Sequence, residues 1–127
     1  LFPDNVFFSG ENVSGVIDFY FACTDFLAYD LAVTLNSWCF PTRRWSRESA
    51  TAMIEGYESV RPLLRDERKA MPRLMRGAGQ RFLLTRLYDR LNQDPNALVT
   101  VKDPLEYRDP LLFLRDADVE SLYAQPT

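Results

Sequence analysis

The first regular pattern of apolar and polar positions covers residues 6–17. Val6-Phe7-Phe8-Ser9 is rich in β-prone side chains, Gly10-Glu11-Asn12 is a turn signal, and Val13-Ser14-Gly15-Val16-Ile17 resumes the β pattern. Two short apolar runs on either side of a turn that contains glycine are typical of an antiparallel hairpin. The pattern therefore predicts a hairpin whose two ends meet, followed by a linker rich in aromatic residues at 19–27.

Helical spacing of apolar residues begins after this linker. Residues 28–39 have the period of a helix, which Pro41 is expected to end. Ser46 is a residue type that caps helices, and a charged turn follows it, so a second helix is predicted from there to Pro62. A third helix is expected to start near Asp66.

The second half of the chain carries the longest helical pattern. Pro72 is expected to interrupt the third helix early, after which residues 73–92 place apolar side chains at core spacing. Residues 97–103 are a predicted connector, and residues 104–124 are predicted to be helical with a break at Pro110. The predicted fold class is therefore α+β and mostly α, with a β-hairpin packed on four or five helices.

Length and composition indicate one folded domain. The chain has 127 residues, and 46% of them are hydrophobic, which is sufficient for a single buried core. We expect one domain over residues 1–127, with the loop and hairpin in 1–27 and a helical subdomain in 28–127. The formal net charge of −3 gives no electrostatic support to a nucleic-acid or anionic-membrane partner. These residues contain no secretory signal pattern and no run of about 18 apolar residues.

The residue types restrict the chemistry further. The chain has two cysteines, Cys23 and Cys39, without the spacing of metal ligands, and it has no histidine. It therefore offers neither a zinc site of the usual kind nor a Cys–His nucleophile. Few cysteines without a pairing pattern are typical of a reducing compartment, so a cytoplasmic location is predicted.

Two side chains with oxygen ligands flank the predicted hairpin. Asn5 comes just before the first strand and Asp18 just after the second, so both should lie at the open end of the hairpin. Amide and carboxylate oxygens suit Mg²⁺, which takes one or two carboxylates and uses substrate phosphates as further ligands. Structural alternatives exist: Asn5 fits an ordinary turn, and a carboxylate buried among apolar neighbours at Asp18 would need a partner of some kind.

Several segments resemble those of a known family. Leu1-Phe2-Pro3-Asp4-Asn5 is similar to the second half of the His-x-Asp-x-x-x-x-Asn catalytic loop of small-molecule kinases with a protein-kinase-like fold, and Ile17-Asp18-Phe19 is similar to their Asp-Phe-Gly metal segment. That family includes aminoglycoside, choline and homoserine kinases. The likeness is greatest to bacterial homoserine kinases of this type, in the stretches Leu1–Asn36, which includes Tyr29-Asp30-Leu31-Ala32, 81–89 and 102–107.

The resemblance implies an architecture and individual roles. The chain would form part of the C-terminal lobe and would start within the catalytic loop, with the catalytic aspartate directly upstream of Leu1. Asn5 would supply its amide oxygen to one Mg²⁺, and Asp18 would bridge the metals that neutralise the β- and γ-phosphates of ATP. Asp4 is expected to hydrogen-bond the backbone of the loop. Asp30 would support the catalytic loop, with capping of its own helix as the alternative.

A pocket for the acceptor substrate is expected beside the metal site. Homoserine is a small zwitterion, so its pocket needs a cation for the carboxylate and an anion or carbonyl groups for the ammonium. Arg86 and Asp89 are the candidates for these contacts, and Tyr20 and Trp38 are candidates for the pocket wall. The alternatives are a salt bridge for each charged residue and core packing for the two aromatic residues.

The resemblance implies a phosphotransferase that would move the γ-phosphoryl group of ATP to the hydroxyl of L-homoserine in threonine biosynthesis. The expected partners are ATP, L-homoserine and Mg²⁺, with no nucleic acid and no membrane, and the pattern predicts no particular oligomeric state. Without the catalytic aspartate and the N-terminal lobe, the 127-residue chain alone is expected to be inactive. The alternatives are a kinase for another alcohol or amino sugar and a non-catalytic, kinase-like interaction module.

Overall fold

The computed structural model describes residues 1–94 and 102–123, except for the side chain of Glu120. The described residues form two β-strands and five α-helices, so the predicted class, mostly α with one hairpin, is confirmed. The elements are β1 (Val6–Ser9), β2 (Asn12–Val16), α1 (Leu27–Trp38), α2 (Arg47–Glu58), α3 (Arg65–Leu91), α4 (Arg108–Asp116) and α5 (Val119–Tyr123), with 3₁₀ turns at Pro3–Asn5, Pro41–Arg43 and Pro104–Tyr107. Most of the connector predicted at 97–103 lies outside the described residues.

The hairpin forms where the apolar pattern predicts it. β1 and β2 pair antiparallel, with Val6 opposite Val16 at the open end. Gly10, in the turn, has a φ of +61°, a left-handed conformation that glycine adopts without a steric cost. The side chains of Phe7 and Phe8 are more than half exposed, and the hairpin contributes no residue to the described buried core.

The buried core lies among the helices. α1 packs along α3, which also contacts α4 and α5, while α2 contacts α1 and α5. Removal of large apolar side chains from water is the main stabilising contribution here. The largest fully buried side chains are Leu35, Met71, Met75, Leu114, Leu122 and Cys39. A buried hydrogen bond of 2.7 Å from Asn36 Nδ2 to the Met75 carbonyl oxygen joins α1 to α3.

Helix α3 continues through Pro72, where the sequence predicts an interruption. A proline inside a helix removes one backbone hydrogen bond. Pro72 and its neighbours Met71 and Met75 are buried, and this packing offsets the lost bond. The prediction of a break at Pro72 is therefore wrong, because tertiary contacts outweigh the local preference of proline.

Helix α4 contains Pro110, where the sequence also predicts a break. Pro110 is the third residue of this helix and so lies in its first turn, where a backbone N–H has no partner within the helix. The break prediction is wrong because Pro110 stands at the start of a helix. The chain leaves the helical conformation instead at Ala117, the C-cap residue of α4.

Among residues 1–94 and 102–123, no helix combines the length and the apolar character that a membrane crossing requires.

Candidate functional site

A backbone hydrogen bond closes the open end of the hairpin. The Ile17 amide donates to the Asn5 carbonyl oxygen over 3.0 Å. The Asn5 amide donates in turn to the Phe2 carbonyl oxygen over 3.0 Å, within the turn that precedes β1. The prediction that the two ends of the hairpin meet is confirmed, and Asn5 lies beside the residue that precedes Asp18.

Asp18 has an uncommon backbone conformation. Its φ of +65° lies in the left-handed region, which aspartate enters more readily than most residues but still at an energetic cost. The carboxylate is exposed, as are the neighbouring side chains of Ile17 and Phe19. The expectation of burial among apolar neighbours is therefore wrong, because those neighbours do not face the core. Such backbone conformations are frequent at binding sites, where the surrounding structure maintains them.

Asn5 and Asp18 line the same cavity, which has a volume of about 550 Å³. Besides Asp18, three carboxylates and two cationic side chains border it: Asp4, Asp89, Asp94, Arg86 and Lys102. This acidic excess favours a bound cation. The described residues contain no group of three or more His, Cys, Asp or Glu that could hold a metal ion. One amide and one carboxylate nevertheless fit Mg²⁺, which retains water and takes substrate phosphates as its other ligands.

Asp4, the neighbour of Asn5, forms an ion pair with Lys102. Lys102 Nζ donates to Asp4 Oδ2 over 2.6 Å. The hydrogen bond from Lys102 lowers the pKa of Asp4 and outweighs the opposing effect of burial. The sequence predicts a bond to the loop backbone for Asp4, but it does not predict this cation from the far end of the chain.

Arg86 lies at the cavity in an ion pair of its own. Its Nη1 donates to Glu106 Oε2 over 2.6 Å, and its guanidinium carbon lies 4.7 Å from the centroid of the Tyr107 ring. Arg86, whose side chain is only 13% exposed, therefore forms the salt bridge named as its alternative, and its contact with the acceptor stays a prediction. A guanidinium has five N–H donors, so this pair leaves others for a ligand. Asp89 is exposed and lines the same cavity.

Tyr20 and Trp38 do not line this cavity. Tyr20 lies in a turn beyond β2, where its ring is 87% exposed and meets Phe21 edge to face. Trp38 lies in the last turn of α1, and its Nε1 donates to the Leu1 carbonyl oxygen over 3.0 Å. The expectation that these two residues form a wall of the cavity is corrected. Tyr20 projects into solvent, and Trp38 binds Leu1, the first residue of the loop Leu1–Asn5.

Asp30 lies near the beginning of the same loop. The Leu1 nitrogen donates a hydrogen bond of 3.0 Å to Thr34 Oγ1, and Asp30 Oδ1 lies 3.7 Å from the same nitrogen. These contacts join the loop to α1, as a supporting residue requires. The supporting role of Asp30 stays a prediction.

Contacts between aromatic rings join the loop Leu1–Asn5 to helix α3. No periodic pattern in the sequence predicts these ring contacts. Phe2 meets Phe82 of α3 edge to face, with ring centroids 5.1 Å apart. Phe82 stacks in turn on Tyr107, with centroids 5.8 Å apart. Local patterns cannot pair residues so distant in sequence, and the same holds for Lys102 and Asp4.

Comparisons with known proteins indicate the family of the chain. The family model described as the phosphotransferase enzyme family matches residues 1–66, which include Asn5 and Asp18. The chain is 59% identical to homoserine kinase of Xanthobacter autotrophicus over 119 residues, or 93% of this chain and 37% of that protein. It is 63% identical to homoserine kinase of Gluconobacter oxydans over 108 residues, or 84% of this chain and 34% of that protein.

A third relative covers nearly the whole chain. Homoserine kinase of Methylobacterium radiotolerans is 57% identical over 127 residues, or 99% of this chain and 40% of that protein. The chain thus spans 34% to 40% of the length of these curated relatives. Since the family model matches more than half of its residues, the chain belongs to the phosphotransferase enzyme family.

Proposed function

We propose that the complete protein transfers the γ-phosphoryl group of ATP to the side-chain hydroxyl of L-homoserine. The observation that carries the proposal is the shared cavity of Asn5 and Asp18, whose side chains have oxygen atoms suited to a magnesium–nucleotide complex. The choice of acceptor is supported by relatives named homoserine kinase at 57% to 63% identity. A cytoplasmic location and a part in threonine biosynthesis belong to the same proposal.

Asn5 and Asp18 are the residues proposed to hold Mg²⁺. When bound, Mg²⁺ supplies positive charge that neutralises the phosphate oxygens of the nucleotide. Asn5 contributes a neutral side-chain amide oxygen, and its backbone carbonyl oxygen accepts the hydrogen bond from the Ile17 amide. Asp18 contributes a carboxylate that is exposed and therefore open to a cation. The proton acceptor for the substrate hydroxyl is proposed to be an aspartate directly before Leu1 in the complete protein.

Arg86 and Asp89 are the residues proposed to orient the acceptor. Both border the cavity that Asn5 and Asp18 line. Arg86 would pair with the acceptor carboxylate through N–H groups other than the one that binds Glu106, and Asp89 would accept from the ammonium. Holding both ends of a small substrate restricts its orientation relative to the phosphate, which is a large part of catalysis in such reactions.

The test is an assay of ADP release by the complete protein with ATP, Mg²⁺ and L-homoserine. We expect release that depends on L-homoserine and exceeds the release with choline, an amino sugar or L-serine. Asp18→Asn should lower the rate roughly 100-fold or more, as expected when stabilisation of transition-state charge is lost. Glu11→Gln, an exposed carboxylate in the hairpin turn, is the matched control and should retain the rate.

Other results would redirect the proposal. A higher rate with another alcohol or with an amino sugar would identify a different small-molecule kinase. Absence of ADP release with every acceptor, in a folded complete protein, would favour a non-catalytic interaction module.

A further inference from the structure

We infer that Lys102 is a positioning residue for the loop that presents Asn5, an inference that rests on the proposed metal role of Asn5. Lys102 Nζ lies 2.6 Å from Asp4 Oδ2, and Asp4 directly precedes Asn5 in the chain. The two partners are 98 positions apart in sequence. Lys102 therefore joins the loop at one end of the chain to a segment near the other end.

Lys102 precedes a well-anchored segment. The Asp103 side chain accepts a hydrogen bond of 3.0 Å from the Leu105 amide and so caps the turn Pro104–Tyr107. Within that turn, Pro104 and Tyr107 are buried. A lysine next to such a segment has a fixed backbone position. Its ammonium can therefore hold a second segment in place.

The position of Asp4 affects the position of Asn5, because both belong to the same hydrogen-bonded turn. Asp4 is the central residue of the turn Pro3–Asn5, which is closed by a bond from the Val6 amide to the Pro3 carbonyl oxygen. The Asn5 carbonyl oxygen is held in addition by Ile17. Because the turn is closed on both sides of Asp4, a shift of Asp4 moves Asn5 with it.

Packing alone does not fix Asp4. It borders the cavity of about 550 Å³ and also a second cavity of about 460 Å³. Lys102 borders both cavities as well, and its ammonium lies 5.9 Å from the centroid of the Phe2 ring. The ion pair is thus a contact that restrains a side chain bordering two cavities.

Because the ion pair is exposed, its loss should affect the position of the loop more than the global stability of the protein. The side chains of Lys102 and Asp4 are 53% and 59% exposed. Exposed ion pairs contribute little to the free energy of unfolding, because water screens them and the side chains lose entropy. Loss of the pair should therefore loosen the loop while the helical core stays intact.

The experiment compares five forms of the complete protein: the wild type, Lys102→Met, Lys102→Arg, Lys69→Met and the double variant Asp4→Lys with Lys102→Asp. Lys69 is an exposed lysine on α3 that borders neither cavity, so its variant is the matched control. Hydrogen exchange of peptides that cover residues 1–8 and α1 reports loop order without any need for activity. The Mg²⁺ concentration for half-maximal ADP release and the KM for L-homoserine are measured in parallel.

We expect Lys102→Met to accelerate exchange in residues 1–8 and to raise the half-maximal Mg²⁺ concentration by about two- to fivefold, which is as much as an exposed ion pair can contribute. Exchange in α1 and the KM for L-homoserine should stay unchanged. Lys102→Arg keeps the charge and should restore most of the wild-type behaviour. The charge-swapped double variant Asp4→Lys with Lys102→Asp should recover part of the Mg²⁺ response.

The inference is overturned if Lys102→Met exchanges and responds to Mg²⁺ as the wild type does, if Lys69→Met has an equal effect, or if α1 also exchanges faster. Failure of the proposed function looks different. In that case the wild type itself shows no Mg²⁺-dependent transfer, and the exchange data alone decide whether Lys102 orders the loop.

Discussion

The amide nitrogen of Ile17 lies 3.0 Å from the carbonyl oxygen of Asn5 and donates a hydrogen bond to it. This bond brings together the two candidate metal ligands, Asn5 and Asp18, which are 13 positions apart in the sequence. The relation between them is thus set by backbone geometry at the hairpin mouth, whereas their side chains remain available to a ligand.

Because Asp18 is left-handed, two substitutions of it should differ in stability although both should lose activity. Because its φ is +65°, Asp18→Ala should be less stable than Asp18→Gly by about 1 kcal/mol, the steric cost of a Cβ in that region. Both variants lack the carboxylate and should lose phosphoryl transfer. Urea denaturation of the two variants measures the difference, and equal stability would show that residue 18 is not left-handed in solution.

Two glycines of α3 should respond differently to alanine. Gly77 has no atom within 4 Å of an added Cβ, so Gly77→Ala should raise the free energy of unfolding by about 1 kcal/mol through helix propensity. At Gly79 the added Cβ would lie 3.0 Å from Leu111 Cδ2, so Leu111 must move and the gain should be smaller or absent.

Urea denaturation of Gly77→Ala and Gly79→Ala beside the wild type checks this packing. An equal gain for both variants would contradict the close contact between α3 and α4.

Glu67 makes stability depend on pH. Arg61 donates to Glu67 Oε1 over 2.7 Å and the Leu64 amide donates to Oε2 over 2.8 Å, and these bonds lower the pKa of Glu67. A carboxylate whose pKa is lower in the folded state adds stability above its unfolded pKa, and this contribution is lost as the pH falls through the folded value.

The advantage of the wild type over Glu67→Gln should therefore be largest near neutral pH and should shrink below roughly pH 4, the usual glutamate range. Urea midpoints at several pH values test this, with Glu55→Gln on the exposed side of α2 as the control. A difference that stays constant with pH would show that the ion pair does not form.

The elements that sequence predicts well are those set by neighbouring residues. Ser46 caps α2 as expected, since its side chain accepts a hydrogen bond of 3.2 Å from the Ser49 amide. The hairpin is equally local, because its turn and its two apolar runs are contiguous. The meeting of Asn5 and Asp18 follows from that hairpin, which explains why the mouth of the site could be predicted from sequence.

The features that sequence predicts poorly depend on contacts between distant residues. Pro72 remains helical because it is buried in the packed part of α3, whereas Leu91, which the periodicity places at core spacing, is 75% exposed. Lys102 is paired with Asp4 across nearly the whole chain. Periodicity gives the direction of a side chain along its own element but does not identify its partner on another.

The most direct measurement for the central claim is a double-mutant cycle on divalent-cation binding by the complete protein. Mn²⁺ replaces Mg²⁺ as a paramagnetic probe, and its dissociation constant is measured with ATP for the wild type, Asn5→Ala, Asp18→Ala and the double variant. Joint ligation of one ion predicts that each single change weakens binding strongly and that the double change costs clearly less than the sum of the two, with a coupling of about 1 kcal/mol or more. Strictly additive losses, or unchanged Mn²⁺ binding in both single variants, would contradict a shared metal site of Asn5 and Asp18.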